Sequence, residues 1–467
     1  MEGLTKRYGL LTAICMVVGI VIGSGIFFKA QDVLAETGGN VLDGILAWLI
    51  GGAIMVVLAS TFAIMATKYE KVGGVVDYAE ATCGKTYAYF VGWFVSAIYF
   101  PAMTSVLAWV SARYTIVAVF GYNSLSPDAL FSNQCFAIAA FYLVVIYFIN
   151  TIAPKLSGKL QVSTTFIKLV PIVFLALVGT LIGLFNGTLG ANFKFAEAVG
   201  NASGGNGMFA AVCSTAFAYE GWIIATTMNS EIKNSKRNLP IALFAGSAII
   251  VVAYVLYYLG VCGLESVETL MSDGTTAAFN YFGTAVATMI NFFIIVSCLG
   301  TLNGLTLGCS RGFYALAARG EGFAPKTFSQ IDKETHMPAN SAALGLFVCM
   351  IWFMYFVGGQ FLGWFGDYAF DSSELPIITV YPIYVPMLIR FMIKEKNLNP
   401  FLRFILPSLS VIGSGVMVAA SIFRHGISNV WYLIVFAAVM LIGAAVYLYN
   451  KKTRSISYQR TETENEI

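Results

Sequence analysis

The chain has 467 residues, 58% of them hydrophobic and only 11% charged, and its mean hydropathy is +0.77. Soluble proteins carry about a quarter charged residues, so this chain has too few to cover a water-facing surface. Its net charge of +3 gives no electrostatic footprint for nucleic acid.

Twelve apolar runs follow one another, near residues 10–36, 41–66, 86–118, 134–151, 158–185, 207–230, 239–263, 278–318, 340–358, 373–393, 402–423 and 430–450. Most reach the ~20 residues that cross a bilayer as helix. The pattern predicts an all-α polytopic membrane protein. The first run is longer than a signal-peptide core and no A-x-A-like site follows it, so it reads as a retained helix. With the N-terminus placed in the cytoplasm, the outer connections receive only Lys29, Arg113, Lys194 and Arg424. Lys168 lies within a span, and every other basic residue falls inside. That bias predicts cytoplasmic termini.

The first run contains VIGSGIFF, in which Gly23, Ser24 and Gly25 interrupt the helix where it should be most regular. The sixth run, GMFAAVCSTAFAYEGW, is interrupted at Tyr219, Glu220 and Gly221. Unwinding in lipid strands N–H and C=O groups and is tolerated only where something satisfies them. Gly-x-Gly alone also serves close helix packing. Two breaks at matching positions in two halves point instead to a secondary transporter built from inverted repeats. The domain reading is a cytoplasmic N-terminus (1–9), a first repeat (10–185), a second repeat (207–393), two appended helices (402–450) and a tail (451–467) expected to be disordered.

A half-helix N-terminus offers N–H groups to a carboxylate, and the preceding C-terminus offers carbonyls to an ammonium. An α-amino acid carries that pair of charges. Lys168, in TTFIKLVPI, lies about ten residues and ~15 Å into the fifth run. A lysine at that depth is a functional candidate, with snorkelling to an interface as the alternative. Glu220 either faces the substrate side chain, pairs with a lysine or helix end, or caps the second half of the sixth helix. Arg311 and Arg319 flank the inner end of the eighth run, and Glu231 and Arg237 read as ties in the loop after the sixth.

The eight cysteines are scattered and read as small apolar packing residues. His336 and His425 stand alone in predicted loops, so neither a metal site nor a cofactor follows. No Ser/His/Asp set argues for an enzyme, and no repeated polar helix face argues for a channel. Asn186 and Asn201 head weak glycosylation patterns.

Several motifs carry a resemblance. IGSGIF in the first run, VGGVVDYAEATCGKTYAYFVGW before the third, FAYEGW with SEIKNSKRNLPIAL, and SCLGTLNGLTLGCSRGFYALAARGEGFAP in the eighth resemble signatures of the amino acid–polyamine–organocation superfamily. The sixth and eighth runs look closest to the bacterial relatives of the L-type amino acid transporters. The resemblance implies a five-plus-five inverted-repeat fold, LeuT-like, with substrate between helices 1 and 6. It implies that N–H groups of Ser24, Gly25 and Ile26 take the carboxylate. Carbonyls of Ile20, Val21, Phe217 and Ala218 would take the α-ammonium, with Gly23, Tyr219, Glu220 and Gly221 completing the breaks. Phe217 would be the outer aromatic gate. In sodium-independent branches a helix 5 lysine replaces the cation between helices 1 and 8, which implies Lys168 bridging to Ser297 and Thr301.

Glu220 departs from the glycine of the L-type pattern, which puts a large neutral substrate in doubt. The outer loop GYNSLSPDALFSNQ has no cysteine, so no disulfide-linked heavy chain is expected. The expectation is a stand-alone, sodium-independent amino acid exchanger in the cell membrane of a bacterium. Proton-coupled symport is the alternative, and a transporter-like sensor or a channel is the alternative from another class. Side-chain choice is assigned to a pocket around Glu220, Trp222, Ile223 and Asn303.

Overall fold

The first apolar run folds as two helices, α1 (Leu10–Val21) and α2 (Gly25–Glu36), inclined by 50°. They open a computed structural model that describes residues 9–69, 74–123, 126–199, 206–226, 232–366 and 371–465. Lys6, Arg7, Lys71, Asn201, Glu231 and the end of the sixth run lie outside the described residues. The rest of the first half is α3 (Val41–Lys68), the short α4 (Val75–Cys83), α5 (Lys85–Phe120), α6 (Pro127–Ile152) and α7 (Pro154–Phe185).

The second half begins with α8 (Gly207–Tyr219) and α9 (Trp222–Ala225), the two parts of the sixth span. It continues through α10 (Ser235–Leu264), α11 (Thr284–Ala318), α12 (Ala339–Gln360) and α13 (Ile377–Lys394). Two further helices follow, α14 (Phe401–His425) and α15 (Ser428–Asn465). Among the described residues, eleven helices are long and apolar enough to cross a membrane, or twelve with the bent pair α1–α2 counted as one.

The packing repeats under exchange of the halves. α1 packs on α10, and α8 packs on α3. α5 meets α6, as α11 meets α12; α3 meets α10, and α5 meets α11. This is the pairing of a five-plus-five inverted repeat with two helices added.

Proline shapes α5. Pro101 has no N–H for the Ala97 carbonyl, and the helix widens into a π-turn over Val95–Tyr99. The freed Ala97 carbonyl accepts from the Trp352 indole at 2.8 Å. A bond from Trp352 of α12 thus replaces one lost within α5, and Tyr99, the last residue of the widened turn, is buried.

Three sequence expectations change. Lys29 and Arg113 were expected in outer connections, but both are buried: Lys29 sits in α2 and Arg113 in α5, its guanidinium 4.7 Å above the Phe28 ring. Charge counting along a chain cannot see partners supplied from distant helices. His425 was expected alone in a loop, yet it ends α14 and lies 3.0 Å from Glu374. The tail expected to be disordered continues α15 to Asn465; it is rich in Lys, Arg, Gln and Glu, which propagate a helix already nucleated by the span.

Candidate functional site

The break in the first span runs through Ile22, which is extended (φ −66°, ψ 107°), and the bends at Gly23 and Ser24. The first bond of α2 is from the Phe28 N–H to the Ser24 carbonyl at 2.9 Å. The N–H groups of Gly25, Ile26 and Phe27 before it are those that a helix start leaves without an internal acceptor. Gly25 is required by packing: a Cβ there would lie 2.4 Å from the Ala218 Cα. Helices α2 and α8 therefore cross backbone against backbone.

The second break is at Glu220, which is extended (φ −72°, ψ 165°), and Gly221, whose φ of +102° suits only glycine. The two breaks face one another across a cavity lined by Ile20, Val21, Ser24, Gly25, Phe217 and Glu220, among others. Its volume is about 30 Å³, room for a water or two but not for an amino acid. Entry of an amino acid requires the helices to part.

Lys168 is completely buried on α7. Its ammonium donates to the carbonyls of Gly19 and Ile22, each at 2.6 Å, and to the Thr301 hydroxyl at 3.1 Å. Thr301 also reaches the Ile22 carbonyl at 3.2 Å, and the Ser297 hydroxyl donates to the Gly23 carbonyl at 3.4 Å. The lysine head thus fills the space between broken helix 1 and helix 8. It satisfies carbonyls that the break exposes.

Sequence reasoning missed Tyr254 on α10. Its hydroxyl lies 3.0 Å from the Ala218 carbonyl and 3.3 Å from the Val21 carbonyl, so it spans both breaks. An apolar run rich in tyrosine carries no mark of which ring turns inward. Tyr219 is drawn the other way, donating to the Trp48 carbonyl at 2.9 Å.

Glu220 lines the cavity and accepts hydrogen bonds from the Tyr99 and Tyr381 hydroxyls and from the Gly221 N–H. Glu220 thus faces the cavity, and the helix α9 that follows it starts from Gly221 without a side-chain cap. No ion pair to it occurs among the described residues. Trp222 packs against Phe62 and Tyr384, outside the cavity lining, and Ile224 takes the lining place expected of Ile223. Asn303 of α11 is turned to α7, bonded to Ser157 and Gln161, and does not line the cavity either.

Residues 8–445 match the amino acid permease family. The chain belongs to that family. It is 32% identical over 322 residues to the serine/threonine exchanger SteT of Bacillus subtilis, covering 68% of this chain and 69% of that protein. It is 25% identical over 457 residues to the mouse b(0,+)-type amino acid transporter 1, covering 96% and 89%. With the human cystine/glutamate transporter it shares 28% identity over 341 residues, 72% of this chain and 65% of that one. The permease is a multi-pass transporter of amino acids, not an enzyme.

Packed rings and ion pairs flank the permease cavity on both sides. On the side opposite the termini, Phe217 and Phe28 pack edge to face at 6.3 Å. Above them, Lys29 of α2 bonds Glu374 at 2.6 Å and Asp371 at 2.9 Å, with Asp32 at 3.3 Å. Arg424 of α14 joins Glu36 and reaches Glu374 at 3.4 Å. On the side of the termini, Arg319 at the end of α11 pairs with Asp77 and Glu80 of α4. There the Tyr69 hydroxyl donates to Glu395 at 2.6 Å, and burial together with that carboxylate pushes its pKa above the usual phenol value.

Proposed function

We propose that this permease is a sodium-independent amino acid exchanger that works by alternating access in the cell membrane, with both termini in the cytoplasm. The substrate lies between the two breaks. Its carboxylate takes the N–H groups at Ser24, Gly25 and Ile26, and its α-ammonium takes carbonyls from Ile20, Val21, Phe217 and Ala218. Gly23, Tyr219 and Gly221 shape those ends, and Phe217 caps the site from outside.

The observation that carries the reading is the Lys168 ammonium, 2.6 Å from two carbonyls of broken helix 1 and 3.1 Å from Thr301. A tethered cation in that place removes the need for a dissolved one. Glu220 with its two tyrosines makes one wall polar, which favours side chains that are small or can donate a hydrogen bond. The serine and threonine in the name of SteT are of that kind.

Proteoliposomes test this. Exchange requires amino acid on the far side and is indifferent to replacing sodium by choline. Uptake into empty vesicles driven by sodium would overturn it. A second reading, proton symport, is favoured by Glu220 itself, a buried carboxylate with hydroxyl partners and no cation beside it among the described residues. It predicts uptake into empty vesicles under a pH gradient.

A further inference from the structure

Three residues from separate segments converge at the outer end of the permease. Cys213 lies on α8, Glu374 in the turn before α13, and His425 at the end of α14. One donor atom of each lies within 4.8 Å of the other two. Cys213 and Glu374 are fully buried, and the imidazole is nine-tenths buried. None of them lines the cavity between the breaks.

The imidazole carries the second observation. Its Nε2 is buried and makes no hydrogen bond, although Glu374 Oε2 is only 3.0 Å away. The nitrogen is close to the carboxylate but out of line with it. Bonds of ~2.1 Å at tetrahedral angles put neighbouring donors about 3.4 Å apart. An oxygen and a nitrogen that share a third atom stand in this relation.

The two oxygens of Glu374 are used differently. Oε1 is bound to Lys29 at 2.6 Å, whereas Oε2 has, besides the His425 imidazole at 3.0 Å, only the loose approach of Arg424 at 3.4 Å. Arg424 keeps its partner Glu36 if it yields that place. A ligand at Oε2 therefore leaves the Lys29 bond intact. Among the described residues the cluster sets four carboxylates (Asp32, Glu36, Asp371, Glu374) against two permanent cations, Lys29 and Arg424. The excess is two negative charges, which suits a divalent cation.

We propose that Cys213, Glu374 and His425 form a regulatory binding site for a divalent transition metal of the zinc class. A thiolate, an imidazole and a carboxylate are the donor set that zinc takes, with a water completing the tetrahedron. Bound there, the ion ties α8 to the helix pair α13–α14 and holds the outer approach closed. Asp32 and Asp371, which are about a third and a fifth exposed, mark the route in from solvent.

The test uses the purified full chain and zinc or cadmium chloride alone, with Cys213→Ser and His425→Gln as variants. Zinc is expected to raise the Tm of the wild type, and cadmium to produce a thiolate-to-metal ultraviolet band. Both signals should be lost in Cys213→Ser and weakened in His425→Gln. In proteoliposomes, zinc added outside is expected to slow exchange ~10-fold, reversibly with a chelator, while metal-free exchange in the variants stays at the wild-type rate. No Tm shift and no cadmium band in the wild type, or equal signals in Cys213→Ser, would overturn the proposal. Metal binding is read without transport, so its failure is separable from failure of the exchanger reading.

Discussion

Lys168 concentrates the physics of the site in one side chain. Its ammonium is the donor for carbonyls that the helix break has left without N–H partners. Lys168→Ala removes it and leaves buried acceptors, each worth about 1–3 kcal/mol. The expected result is a lower Tm together with transport reduced ~100-fold, measured as uptake per folded protein. A Lys168→Ala variant that transported at the wild-type rate would refute the role. Gly25 gives a purely steric counterpart. Gly25→Ala drives a methyl against the Ala218 backbone, and overpacking of that kind costs about 1–3 kcal/mol. Fluorescence-detected chromatography should show a folded but less stable protein with little uptake. Both residues were legible in the chain: a lysine surrounded by apolar residues and a glycine pair in mid-span are anomalies in themselves. Tyr254 was not, because a tyrosine among tyrosines becomes informative only when the backbone shows which carbonyls it meets.

Helices bring the next level of control. The π-turn in α5 arises from Pro101 and presents Tyr99 to Glu220. Pro101→Ala supplies an N–H that competes with Trp352 for the Ala97 carbonyl. The turn should tighten and swing Tyr99 away, raising KM more than it lowers kcat in uptake assays. If KM is unchanged, the turn does not position Tyr99. Glu220→Gln keeps hydrogen-bonding capacity and loses charge; it should change which amino acids compete for uptake while leaving the Tm within about 1 kcal/mol of stability. The order of helices was readable from hydropathy, and the breaks from glycine. The facing of Asn303 was not: its polar character pointed to a pocket, whereas it serves a buried network with Ser157 and Gln161. Polarity within a span marks a need for partners and does not say whether those partners are substrate or protein.

At the scale of the molecule, both ends are tied across by ion pairs drawn from distant parts of the chain. Lys29 and Glu374 are 345 residues apart, and Arg319 and Asp77 are 242 apart. A residue-by-residue reading assigned those charges to topology because nothing local reveals such pairings. Removing one partner of a buried pair costs about 3–5 kcal/mol, chiefly through the charge left behind. Lys29→Gln should therefore favour the state open on the side away from the termini, and Arg319→Gln the opposite state. Thiol-reagent labelling of single cysteines placed along each approach would register the shift; equal labelling in both variants would contradict it. The Lys29→Gln defect should be partly relieved by Glu374→Gln, which discharges the stranded carboxylate.

Tyr254 has one proton to divide between the carbonyls of Val21 and Ala218. An arriving amine that claims either oxygen ends the division and commits the proton to the other. A loaded carrier and an unloaded one then differ in how α10 grips the two half-helices, so a hydroxyl outside the cargo's own contacts registers whether the journey across is being made full or empty.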